Sequence, residues 1–522
     1  MKLPVFRTGL ARFRVGRFRL HKRMNETRLR LAASIFPRLD VRRYRTAHDY
    51  RDEIDHLATS VMVGGFVLFE GDVDDVLHST TRLASLTGGR LLFAADCENG
   101  LTMRFSGGTE FPSMMALGVA NDLAATYSVA RSIAREMRAL GIVWNFAPVA
   151  DVNANPDNPI INIRSFGSKP DVVSDHVLAY VRGMQDGGVI ACAKHFPGHG
   201  DTTTDSHLDV PVVAADRRSL DASELPPFRE AVRQGVRSVM VAHISLPSVD
   251  PSGSPASLSP LVVGSLLRDE LGFDGLVVTD ALDMHAITRR FNSEEAASLA
   301  YAAGCDVLCL PEAPACALHG LIQLAETGGV GKRRINKSYE RIRAVLEWTK
   351  AYSDVPADLA SARRGHEVIA LDAARRSITV VGRMRRLRPP VLVVALVDSD
   401  GRMKADEWFS HFTTWFDGES RCIVVMPEVD GQEQQDVNSA IDAAGSVITA
   451  IFIRPRGFSG TVGLSPAQHE IAHRCLGKPS ILLTFGSPYP LRDARPQVRI
   501  DCYSSGKATL AASIEALSRV VK

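Results

Sequence analysis

The segment Lys194-His195-Phe196-Pro197-Gly198-His199-Gly200-Asp201-Thr202-Thr203-Thr204-Asp205-Ser206-His207 places three histidines, two aspartates and a lysine within 14 residues. Core filler does not look like this, because each buried charge costs several kcal/mol unless it is paired. Two chemistries suit the residue types. His199, Asp201, Asp205 and His207 are of metal-ligand type, but the chain has neither HExxH nor HxH helical spacing there, and Lys194 brings a competing cation. The alternative is acid/base work. Asp205 and His207 are two residues apart, so on an extended loop their side chains share a face. A carboxylate bonded to one imidazole nitrogen fixes the tautomer and leaves the other nitrogen to exchange a proton. A third reading has the loop's polar groups simply satisfying one another.

A second signal is Gly275-Leu276-Val277-Val278-Thr279-Asp280-Ala281-Leu282-Asp283-Met284. An aspartate that ends an apolar strand projects from the strand's C-terminal end. It serves equally well as a helix N-cap, although Asp283, closer to the next helix, is the better capping candidate. Asp96, Lys194, His195, His243 and Asp280 all fall at or near the ends of different apolar runs.

These runs are IFPRLDV (35–41), GGFVLFE (64–70), RLLFAAD (90–96), IVWNFAPV (142–149), VIACAKHF (189–196), SVMVAHI (238–244), GLVVTDA (275–281) and DVLCL (306–310). Runs without polar alternation suit strands buried on both faces, and amphipathic helical stretches lie between them. Eight strand–helix units predict a (β/α)8 barrel of the TIM type, whose active site collects at the C-terminal ends of the strands. A doubly wound open sheet fits the pattern alone. The barrel is expected over 31–345, a charged helical linker over 346–375, and a smaller α/β sandwich domain over 376–522, where six further strand-like runs alternate with helices. That last region has no GxGxxG or GxxxxGK[ST] motif and no catalytic constellation. Its His469 and His473, four apart on a predicted helix, read as exposed histidines before they read as a metal site.

The composition is that of a globular protein, with 45% hydrophobic and 23% charged residues. The net charge of +2 becomes −6 once the eight basic residues of positions 1–23 are set aside. A mildly acidic body offers no nucleic-acid surface. Residues 1–30 are expected to form a disordered basic extension, with a start at Met24 as the competing reading. The tail has no apolar h-region, so no secretory signal is expected. No apolar run reaches transmembrane length, which argues against stable membrane insertion. The eight cysteines lack paired spacing and include no CxxC, as in a reduced compartment. Together these features predict a cytoplasmic protein.

KHFPGHGDTTTDSH resembles the signature of glycoside hydrolase family 3 β-N-acetylhexosaminidases of the two-domain type, and GFDGLVVTDALDM resembles that family's nucleophile strand. VGGFVLFEGD, ADCENGLTMRF, FPSMMALG, FAPVADVN, NPIINIRSFG and PASLSP follow the family's order, so the resemblance spans about residues 35–345. It implies that Asp280 is the nucleophile and His207 the general acid/base, with Asp205 as its partner. It further implies that Asp96, Arg104, Arg164, Lys194 and His195 grip the sugar. The family commonly has Glu-Gly-Gly after that first aspartate, whereas this chain has Cys97-Glu98-Asn99-Gly100. The implied activity is retaining exo-hydrolysis of terminal β-linked N-acetylglucosamine through a covalent glycosyl-enzyme, with no metal or organic cofactor. The implied substrates are small glycans: muropeptides of cell-wall recycling first, chitooligosaccharides second. Phosphorolysis by the same residues is a rival, because a histidine acid/base does not repel phosphate. A non-catalytic glycan-binding protein of the same fold is another.

Overall fold

The computed structural model describes residues 26–200, 210–454 and 463–521. The basic tail of residues 1–23, Asp205 and His207 lie outside the described residues. The first part of the chain forms a closed ring of parallel strands: β1 (Ile35–Phe36), β2 (Arg38–Asp40), β3 (Gly65–Phe69), β4 (Leu92–Ala95), β5 (Trp144–Asn145), β6 (Ile190–Phe196), β7 (Ser238–Val241), β8 (Leu276–Thr279) and β9 (Leu308–Cys309). β1 and β2 share one extended segment. Pro37, which has no N–H to give a ladder, stands where the segment hands over from β9 on one side to β3 on the other. A bridge between Val278 and Val307 joins β8 to β9 and completes the barrel.

Alternation along each strand separates two cores. Phe66 and Leu68 point out to the helices, while Val67 and Phe69 point into the barrel. Inside, Trp144 meets Phe36 and Phe146 edge-on, with centroids 5.6 and 5.3 Å away, and its Nε1 donates to Ser238 Oγ at 2.8 Å. Ile190 and Cys192 belong to this interior, so Lys194 is the next inward position of β6. The register of β6 against β7 shifts between Ala193 and Phe196. Such an irregularity re-aims side chains, and His195 reaches the same mouth as Lys194.

At the opposite end of the barrel, the fully buried Asp306 accepts from three arginines. Arg268 Nη2 lies at 2.5 Å, Arg334 Nη1 at 3.2 Å and Arg341 Nη1 at 3.3 Å. Two of them belong to the helix Lys332–Ala351, whose Ile342 and Val345 close the barrel floor. That helix runs through the expected boundary at 345/346, and the helix His366–Ser377 runs through 375/376. The linker is thus no free connector: Ala370 and Ala373 pack into the barrel's outer core, and His366 Nδ1 bonds the buried Glu136 at 2.7 Å.

The second part is a six-stranded sheet in the order β10–β15–β14–β13–β11–β12, made of β10 (Thr379–Gly382), β11 (Val391–Val397), β12 (Ser420–Val425), β13 (Ser446–Ile453), β14 (Ser480–Gly486) and β15 (Val498–Asp501). All pairs are parallel except β10 with β15, and apolar clusters cover both faces. A (β/α)8 barrel followed by a smaller α/β sandwich is therefore the architecture. The sandwich touches the loops above β4 and β5. Asn153 Nδ2 donates to Tyr489 Oη at 2.8 Å, Ser113 Oγ to the Tyr503 carbonyl at 2.7 Å, and Lys404 pairs with Glu110 at 3.0 Å. Among the described residues no helix is long and apolar enough to cross a membrane. All eight cysteines are free, and six are buried.

Candidate active site

A cavity of about 510 Å³ opens at the C-terminal ends of the barrel strands. Its deep half is an ion network. Asp96, just past β4, holds Lys194 Nζ at 2.7 Å and Arg104 Nη2 at 2.7 Å. Glu98 holds the same Lys194 Nζ at 2.8 Å and takes Arg164 on both oxygens, at 2.7 and 3.0 Å. Burial alone would raise the Glu98 pKa, but Arg164 and Lys194 outweigh it and bring it down to about 2. Asp96 is likewise held far below the usual carboxylate range by Lys194 and Arg104 against its burial. Lys194 is pushed up by Asp96 and Glu98 although it is buried. Fixed, fully ionised donors and acceptors of this kind suit the hydroxyl groups of a neutral ring.

His195 sits beside this network. The buried Asp151 accepts from His195 Nδ1 at 2.7 Å and from the backbone N–H groups of His195 and His199. With Nδ1 committed to donation, Nε2 is left facing Arg164 Nη2 at 3.4 Å. The turn below it is tight: a Cβ on Gly200 would lie 1.6 Å from the Val152 carbonyl oxygen.

Asp280 follows β8 and lines the same cavity. Its backbone N–H donates to the Val241 carbonyl at 2.9 Å, and its Oδ1 accepts from the Ala281 N–H at 2.8 Å. His243, beyond β7, holds the peptide that follows. Its Nε2 bonds the Ala281 carbonyl at 2.9 Å while its Nδ1 bonds Ser257 Oγ at 2.7 Å. Burial holds the His243 pKa below its ordinary value, which favours the neutral tautomer that donates from Nε2. With Asp280 as the nucleophile that the sequence resemblance implies, His243→Ala is expected to lower kcat about 10- to 100-fold with KM nearly unchanged, because a carboxylate displaced by a fraction of an ångström loses its line of attack. Steady-state kinetics decide this, and a loss confined to KM would contradict it.

The structure thus brings Asp96, Arg104, Arg164, Lys194, His195 and Asp280 around one cavity. Asp205 and His207 lie outside the described residues. The expectation that Asp283 caps a helix fails. The helix His285–Thr288 takes Met284 as its N-cap, and Asp283 turns to the cavity and faces Arg38 at 3.5 Å. Sequence reasoning passed over Glu98 and Asp151. Asp151 ends an apolar run as Asp280 does, and that signal could have found it. Among the described residues no three His, Cys, Asp or Glu side chains are grouped to hold a metal ion. His469 and His473 are exposed neighbours on the helix Pro466–Leu476.

The profile of the Glycosyl hydrolase family 3 N terminal domain matches residues 37–345. The chain is 37% identical over 288 residues to the beta-hexosaminidase A of Pseudoalteromonas piscicida, covering 50% of this chain and 47% of that one. It therefore spans about half the length of that relative. It is 29% identical over 506 residues to a beta-N-acetylglucosaminidase/beta-glucosidase of Cellulomonas fimi, covering 89% and 88% of the two chains. The solved family 3 beta-N-acetylglucosaminidase from Paenibacillus sp. str. FPU-7 superposes with a TM-score of 0.83 at 29% identity, over 95% of this chain and 97% of that one.

Proposed function

We propose, from the premise that this chain belongs to glycosyl hydrolase family 3 and is a glycoside hydrolase, that it releases terminal β-linked N-acetylglucosamine with retention of configuration. The observation that carries this reading is Asp280 at the end of β8, opposite the ionised network of Lys194, Asp96, Glu98, Arg104 and Arg164 in one cavity. That network accepts and donates to the ring hydroxyls and holds the terminal sugar. An Asp280 oxygen attacks the anomeric carbon, the glycosidic bond breaks, and a glycosyl ester forms. His207, with Asp205 behind it, gives a proton to the leaving oxygen and then takes one from the water that opens the ester. This role for His207 and Asp205 rests on the resemblance of their motif.

The test is proton NMR of the first product from an aryl β-N-acetylglucosaminide. The β-anomer is expected first, and initial appearance of the α-anomer would overturn the double displacement. Run in phosphate, the same reaction separates the rival chemistry. Free N-acetylglucosamine supports hydrolysis, whereas N-acetylglucosamine 1-phosphate as main product identifies a phosphorylase. His207→Ala is expected to slow substrates with poor leaving groups far more than nitrophenyl substrates, because only the former need the proton. Equal slowing of both would remove His207 from that role.

A further inference from the structure

Glu98 and Arg104 ride on one loop, residues 97–113, which leaves β4 and doubles back on itself. The Phe111 N–H donates to the Asn99 carbonyl at 2.9 Å. Gly100, at φ +115°, allows the close approach, since a Cβ there would lie 2.3 Å from the Thr109 carbonyl oxygen. The near limb is set by the barrel wall, where Tyr180 Oη donates to the Glu98 carbonyl at 2.9 Å. At the tip, the Ser106 N–H donates to the Gly71 carbonyl at 3.2 Å. The far limb is held from outside the barrel. The Thr109 N–H donates to Glu136 Oε2 at 2.9 Å, and Arg363 Nη1 of the linker donates to the Gly107 carbonyl at 2.8 Å.

Glu136 lies on the helix Leu123–Ala139 and is fully buried, as are its neighbours Ile133, Ala134 and Met137. Its two oxygens are shared out. Oε2 takes the loop, and Oε1 accepts from His366 Nδ1 of the linker at 2.7 Å. The His366 ring is buried too, and its centre lies 6.0 Å from that of Phe111 on the same loop. Among the described residues, His366 is the basic side chain within ion-pair reach of Glu136. A carboxylate buried in this way is costly to desolvate, and an apolar pair would join helix and linker without that cost. What an apolar pair cannot do is accept the Thr109 N–H.

We infer that Glu136 and His366 are positioning residues, which fix the loop 97–113 and through it the Glu98 and Arg104 side chains that bind the terminal sugar. The inference rests on the glycosidase reading above and goes beyond it by giving the linker a part in substrate binding. Arg104, five residues before Thr109, reaches Asp96 at 2.7 Å, a contact that a slipped far limb gives up. Asp280 follows a different strand and takes its orientation from the Ala281 N–H, so the attacking group keeps its place. Loss of the Glu136–His366 pair therefore weakens the hold on the sugar and spares the attack.

The experiment is steady-state kinetics on nitrophenyl β-N-acetylglucosaminide, with N-acetylglucosamine as competitive inhibitor. His366→Leu and Glu136→Met keep the bulk but break the pair, and are expected to raise KM and the inhibition constant about 5- to 20-fold with kcat within about threefold. His366→Asn places an amide N–H where Nδ1 stands and is expected to bring both constants back to within about threefold of the wild type. A purely structural role gives another signature, because fewer folded molecules lower the apparent kcat and leave KM alone. Arg363→Met alters a side chain 33% exposed without touching the buried pair. It is expected to raise KM about two- to fivefold, and it carries the test if His366→Leu and Glu136→Met do not fold. A wild-type KM in every folded variant, or a rise that His366→Asn does not reverse, overturns the inference. If the wild type does not cleave the nitrophenyl substrate at all, the glycosidase reading fails instead, so the two failures are distinguishable.

Discussion

Asp280→Ala is expected to cut kcat for a nitrophenyl β-N-acetylglucosaminide about 10⁴-fold or more while the protein stays folded. The reason lies in what the neighbouring carboxylates are doing. Asp96 is committed to Lys194 and Arg104, and Glu98 to Arg164 and Lys194, at 2.7–2.8 Å. Carboxylates whose pKa values are pulled down in this way are poor nucleophiles. At Asp280 the Ala281 N–H donates to Oδ1 at 2.8 Å and aims that oxygen. Asp283 is only three residues away but is turned toward Arg38. Among the described residues, Asp96, Glu98 and Asp283 are each held by a cation, and none takes the place of Asp280. Added azide is expected to restore part of the turnover in Asp280→Gly and to yield the α-glycosyl azide, because the small anion fills the space of the lost carboxylate. Unchanged turnover in Asp280→Ala would remove the residue from the mechanism.

Asp306→Ala is expected to produce the largest loss of stability, about 3–5 kcal/mol, without any contact with the substrate cavity. Its carboxylate is fully buried and sits among Arg268, Arg334 and Arg341, with the Val277 N–H as a further donor at 3.1 Å. Deleting it leaves three guanidinium groups facing one another in the barrel floor. Against a total of about 5–15 kcal/mol for a typical domain, such a change removes much of the margin. Asp306→Asn keeps the shape and one acceptor and is expected to lose less. Asp442→Ala is the natural control: its pair with Arg474 is largely exposed, and its loss is expected to cost less than about 1 kcal/mol. Denaturant melts of the three variants settle the matter, and parity between Asp306→Ala and Asp442→Ala would contradict it.

The barrel was legible in the sequence because its strands are buried on both faces and so read as unbroken apolar runs; each of the eight runs contains a strand of the ring. The six runs of the second part likewise became one sheet. Ring closure was less visible, since it depends on Pro37 handing one short segment from β9 to β3. At the site, strand-end position was a good guide to which polar side chains meet. Pairing was not, because it joins residues distant in the chain: Lys194 with Glu98, His195 with Asp151, Arg38 with Asp283. Local spacing made Asp283 a cap, and a partner distant in the chain, Arg38, faces it across the cavity. The packing of the linker against the barrel was not legible for a related reason. Helix periodicity does not say where packing against a barrel stops.

The loops that carry Glu98, Arg104 and Arg164 are fastened on their outer side to the sandwich, through Asn153 with Tyr489, Ser113 with Tyr503 and Glu110 with Lys404. Beside these ties lies a second cavity of about 230 Å³, where Arg454 from the end of β13 shares a wall with Glu98 and Arg164. In mechanical terms the sandwich is a brace, and the wall that carries Glu98 and Arg164 is the part it keeps from bowing outward. A molecule wedged between the two halves would loosen that wall from behind without ever entering the cavity at the strand ends.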